Sequence, residues 1–91
     1  MKVKLVDERF SISQVVKASG VSARMLRHYD AIGLLPPGSV SSNGYRWYGR
    51  AELLRLQRIM MLRRLGLGLA EIGEVLRSQI VEAAALRGHP A

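Results

Sequence analysis

The chain has 91 residues, 48% of them hydrophobic and 23% charged, and no cysteine. That describes one small globular domain, burying roughly 60–65% of the surface its unfolded form exposes, and it excludes disulfide scaffolds, thiolate metal sites, iron–sulfur ligation and thiol catalysis. The net charge is +7 and unevenly placed: residues 22–64 hold eight arginines and no lysine against Asp30 and Glu52, a net of +6, while residues 65–91 net −1.

Residues 1–9 read as a loose or strand-like leader. Lys2 and Lys4 are followed by Asp7, Glu8 and Arg9, where a signal peptide would place apolar residues. No charge-free run is long and apolar enough for a transmembrane helix, so the expectation is a soluble, cytoplasmic protein with no membrane partner. Ser11-Ile12-Ser13-Gln14 has the form of a capping box, with Ser11 as N-cap, and predicts a first helix to about Ser19. Gly20 suits the left-handed residue just past its end. Ser22 caps a second helix that runs to about Ile32 and stops at Gly33. Pro36-Pro37-Gly38 cannot be helix interior, and Asn43-Gly44 is the strongest hairpin turn signal in the chain. Tyr45, Trp47 and Tyr48 follow as an aromatic, strand-like run, with Tyr45 and Tyr48 expected in a small core beneath the hairpin.

Gly49 and Glu52 open a third helix, whose apolar residues Leu53, Leu56, Ile59, Met60, Leu62 and Leu65 recur at helical spacing. Gly66 and Gly68 break it. A fourth short helix, about Leu69 to Leu76, places Leu69, Ile72, Val75 and Leu76 on one face, and the chain reads as helical again from Ser78 to Leu86. Helix, tight turn, helix, aromatic hairpin and two further helices make a mostly α fold: a winged helix-turn-helix with a short β-hairpin wing. The domain spans residues 10–77.

An arginine-rich block favours a polyanion, since the guanidinium fork meets phosphate or guanine through two hydrogen bonds. On a helical wheel the second helix turns Met25, Leu26, Tyr29 and Ile32 inward, and Arg24, Arg27, His28 and Ala31 outward at i, i+3, i+4 and i+7. An apolar back and a donor-rich front are what a major-groove reading helix requires. Two ordinary surface arginines would give the same wheel; the tight turn before this helix and the hairpin after it favour the reading helix. Arg46 alternates to the opposite side of Tyr45, toward DNA backbone or minor groove. Ser22, Ser41, Ser42, Asn43 and the turn amides add neutral phosphate contacts. His28 and His89 are the only histidines; a metal site needs more ligands than the chain clusters anywhere, so no metal and no cofactor are expected. No catalytic triad, carboxylate pair or phosphate loop stands out, and Gly66-Leu67-Gly68 reads as a helix break.

Ser11-Ile12-Ser13-Gln14, Gly20-Val21-Ser22, the run from Leu26 to Leu35 (LRHYDAIGLL), Asn43-Gly44-Tyr45-Arg46-Trp47-Tyr48 and Leu62-Arg63-Arg64-Leu65-Gly66 resemble the MerR family of bacterial transcription regulators, over about residues 10–76. The TipA-like branch is the most similar. The resemblance implies a homodimer held by a long antiparallel helix. It also implies double-stranded DNA as partner, at a promoter whose spacer is overlong, and distortion of that DNA so that RNA polymerase can use it. By motif it places Arg24, Arg27 and His28 on the recognition face, Tyr29 near the DNA backbone, Arg46 in the wing, and Arg58 and Arg63 near phosphate, Arg63 alternatively structural.

Residues 78–91 are then the start of a truncated dimerisation helix, so this chain is expected to dimerise weakly or not at all. Departures are Val16, where alanine is preferred, a wing with no basic residue from Gly38 to Gly44, and the absence of the cysteines that thiol metal sensors use. Two other readings stay open. An excisionase-type DNA-bending recombination factor suits the short length. A protein-interaction module would use Leu54, Met60 and Met61 as its contact patch.

Overall fold

A computed structural model describes residues 8–88, with side chains through Ser78. The elements are β1 (Phe10–Ser11), α1 (Ile12–Ser19), α2 (Ala23–Ala31), β2 (Ser39–Val40), β3 (Arg46–Tyr48), α3 (Arg50–Arg64) and α4 (Leu69–Gly88). The three strands form an antiparallel sheet in the order β1-β3-β2, with Phe10 opposite Tyr48 and Val40 opposite Arg46. β1 follows the residues that read as a leader and takes in Ser11, the N-cap of α1. Two residues carry no alternation, and only their pairing with the aromatic strand defines them.

Local chemistry explains where the helices begin and end. The Ser11 hydroxyl accepts from the Gln14 amide at 3.1 Å, and the Gln14 side chain accepts from the Ser11 amide at 2.8 Å, which completes the capping box at α1. Gly20 ends α1 at φ 81°, a conformation that costs a residue with a Cβ far more. Its amide donates to the Val16 carbonyl. The Ser22 hydroxyl caps α2 by accepting from the Met25 amide at 3.0 Å. α3 and α4 share a device: the glycine before each helix donates its amide to a glutamate three residues on, Gly49 to Glu52 and Gly68 to Glu71, both at 2.8 Å. These carboxylates also offset the positive helix N-termini.

The chain forms two compact units, one ending at Arg58 and one beginning at Ile59. Within the first, Val15 of α1, Leu26 and Tyr29 of α2, Leu34, Leu35, Tyr48 of β3 and Leu56 of α3 are buried. The Arg55 Nε–H donates to the Leu34 carbonyl at 2.8 Å, tying α3 to the turn after α2. Within the second unit Ile59, Ile72 and Leu76 are buried.

Four expectations change. Ile32 is 49% exposed, because α2 ends at Ala31 and the helical wheel no longer applies to it. Tyr45 is 64% exposed, because it precedes β3 and stands in the hairpin turn rather than beneath it. Leu65 is 71% exposed, because it lies one residue past the end of α3. The fourth helix does not stop near Leu76 and restart at Ser78: α4 continues unbroken to Gly88. Serine costs a helix interior only about half a kcal/mol, too little to end one. The side chains of Ile80 through Leu86, and the leader through residue 7, lie outside the described residues.

Candidate nucleic-acid interface

α2 presents two faces. Leu26 and Tyr29 are buried and Met25 is half-buried, while Arg24, Arg27, His28 and Ala31 are exposed. Burying a leucine side chain contributes about 1.5–3 kcal/mol, so the apolar back is what fixes the azimuth of the front. Tyr29, at 2% exposed, belongs to that back.

The wing stands beside this helix. The hairpin turn closes through the Ser41 amide donating to the Tyr45 carbonyl at 2.9 Å and the Gly44 amide donating to the Ser41 carbonyl at 2.8 Å, with Gly44 at φ 87°. The Ser41 hydroxyl donates to Asn43 Oδ1, so that oxygen holds the turn. A cleft of about 390 Å³ opens between the wing and the helices. Arg27 of α2, Ser11 and Ser13 at the start of α1, and Tyr45, Arg46 and Trp47 of the wing line it. Two arginines from elements far apart in sequence therefore face one concavity.

Arg46 is not simply extended toward solvent. Its Nε–H donates to Asp30 Oδ2 at 3.0 Å, with both side chains about 30% exposed or less. Two residues along β3, Tyr48 is fully buried, and its hydroxyl has no hydrogen-bond partner among the described residues. Burial pushes the Tyr48 pKa above its ordinary value; Arg46 draws it down, Asp30 pushes it up and Arg27 draws it down. Arg27, Asp30, Arg46 and Tyr48 thus lie within electrostatic reach of one another. Just before β1, the Arg9 guanidinium stacks over the ring of Trp47 on the central strand β3, 4.8 Å from its centroid, a cation–π contact.

The remaining sequence candidates fall elsewhere. Ser22 is exposed at the N-terminus of α2, where its oxygen serves the cap. Asn43 is exposed in the wing turn. Arg58 and Arg63 are exposed on α3, and neither lines the cleft. Sequence reasoning missed Asp30, whose partner is sixteen residues away and carries no spacing signal. It also missed the Arg9–Trp47 stack and the structural use of Arg55. Among the described residues no three His, Asp or Glu side chains are grouped to hold a metal ion, and no helix is long and apolar enough to cross a membrane.

The pattern of the family described as "MerR HTH family regulatory protein" matches residues 10–79. The chain belongs to this family. It is 49% identical over 79 residues to the HTH-type transcriptional regulator SkgA of Caulobacter vibrioides, covering 86% of this chain and 31% of SkgA. It is 46% identical over 67 residues to the HTH-type transcriptional activator TipA of Streptomyces coelicolor, covering 74% of this chain and 26% of TipA. The chain therefore spans about a third or less of the length of these relatives.

Among solved structures, the N-terminus of the Bacillus subtilis multidrug transporter activator, MtaN, superposes with a TM-score of 0.71 at 46% identity, covering 74% of this chain and 63% of that one. HiNmlR, a MerR family regulator lacking the sensor domain and bound to promoter DNA, superposes with a TM-score of 0.74 at 26% identity, covering 86% of this chain and 59% of that one.

Proposed function

We propose that this chain is the sequence-reading, double-stranded-DNA-binding unit of a bacterial MerR-type transcription regulator. The observation that carries the reading is the exposed row Arg24, Arg27 and His28 on a helix whose opposite face is core, with Arg27 sharing a cleft with the wing arginine. In this reading α2 enters the major groove and the row meets base edges. Arg46 and Asn43 of the wing contact backbone. The Ser22 hydroxyl, whose oxygen serves the cap, has its proton to donate to phosphate. Arg58 and Arg63 contribute positive charge along the phosphates. Tyr29 serves by fixing the helix rather than by broad contact, given its burial.

A relative of the same fold in complex with promoter DNA supports this reading, and names such as transcriptional regulator and transcriptional activator favour it over an excisionase or an interaction module. Promoter distortion, a homodimer, RNA polymerase as the downstream partner and a cytoplasmic location belong to the same proposal.

The test is selection of duplexes from a randomised pool with the 91-residue chain, followed by affinity measured against salt. If about four phosphates are neutralised per protomer, log K falls with log salt at a slope of about −3.6. Binding that does not change with salt, or a pool that yields no enriched sequence, overturns the proposal.

A further inference from the structure

Asp30 is the only acidic residue of α2, and charge alone argues against its presence. It stands near the C-terminus of the helix, where the macrodipole disfavours an anion, and on the element that approaches DNA phosphates. Its one ion pair among the described residues is with the wing: Arg46 Nε to Asp30 Oδ2 at 3.0 Å, half-buried. That bond joins α2 to β3 beside the cleft that Arg27 and Arg46 line, and both of its partners act electrostatically on the buried Tyr48 hydroxyl.

We propose that Asp30 is a positioning residue for DNA binding: it holds the Arg46 guanidinium by its Nε–H, so that the terminal amino groups meet a backbone phosphate already ordered. This rests on the DNA-binding reading above. A guanidinium has five N–H donors in a rigid fork, and engaging one edge leaves the other aimed. A free arginine loses rotamer entropy each time it grips a phosphate; one already held by a carboxylate has lost it on folding. The carboxylate repels the same phosphate, so the two effects on affinity have opposite signs, and removing Asp30 reveals which dominates.

The experiment measures the affinity of the 91-residue chain for a selected duplex, for wild type, Asp30→Asn, Arg46→Ala and the double variant, with the salt slope and melting temperature of each. Asp30→Asn is expected to weaken binding about two- to fivefold, the range of half-exposed ion pairs, despite making the chain more positive. Its salt slope is expected to flatten by up to about 0.9 per protomer, one phosphate contact, and the double variant to bind no more weakly than Arg46→Ala.

Tighter or unchanged binding by Asp30→Asn overturns the proposal, as does a further loss in the double variant. If Asp30→Asn does not fold, Asp30→Glu decides. It keeps the charge and moves the carboxylate by one methylene; weaker binding at an unchanged melting temperature supports positioning, and wild-type binding overturns it. A wild-type chain that binds no duplex would overturn the DNA-binding reading itself, a separate outcome.

Discussion

Helix α2 carries two arginines and a histidine; α3 carries five arginines over Arg50–Arg64. The poorer of the two is the one that gathers its basic residues on a single face. On α2 the basic residues share one face, the opposite face is core, and the exposed row adjoins a cleft. On α3 they are spread around the helix, and Arg55 is half-buried with its Nε–H given to the Leu34 carbonyl. Arginine count reports how strongly a chain is drawn to a polyanion; the backing and partners of each arginine decide whether it reads one.

The apolar back of α2 is where a single substitution should cost most. Leu26 is fully buried, and Leu26→Ala is expected to cost about 2–5 kcal/mol of stability, read by urea denaturation. A loss below about 1 kcal/mol would mean that the front of α2 is oriented by something else.

The structural role of α3 is tested by Arg55→Ala. Removing the donor leaves the Leu34 carbonyl short of a charged partner, and the expected cost is about 1–2 kcal/mol of folding stability. The ratio of affinities for selected and scrambled duplexes should stay the same. A changed ratio at unchanged stability would place Arg55 in the interface.

A smaller effect concerns Tyr48 at the end of β3. The Tyr48 hydroxyl is buried without a partner among the described residues, so Tyr48→Phe is expected to melt at or above the wild-type temperature. Its pKa is raised above 10.0, chiefly by burial. The neutral hydroxyl's contribution is therefore whole below pH 10 and lost as pH rises from there through the folded-state pKa. Wild-type melting temperature should fall on the alkaline side of pH 10, and Tyr48→Phe should lack that part of the fall. Equal alkaline losses in both chains would show that other groups govern it.

Much of this architecture is legible in the amino-acid order. Ser11 with Gln14, Gly20, Ser22 and Asn43-Gly44 are local signals whose physics acts within four residues, and each forms as expected. The burial of Leu26, Leu56, Ile59 and Ile72 follows from periodicity. What is not legible is non-local or lies at an element's edge. β1 exists only because β3 pairs with it. Ile32 and Leu65 keep the apolar period, but the helix has ended beneath them. Asp30–Arg46 joins residues that no spacing rule connects. The exposed candidates Arg24, Arg27 and His28 are readable because a helix wheel is local; the partner that organises the wing arginine is not.

In the proposed function the front of α2 discriminates sequence. The most direct test is the affinity of Arg27→Ala for a selected duplex and for a scrambled duplex of equal length at one salt concentration. A bidentate base contact predicts a loss of about 1–3 kcal/mol on the selected duplex and a clearly smaller loss on the scrambled one. Equal losses on both would reduce Arg27 to a phosphate contact and leave α2 without a sequence-reading role.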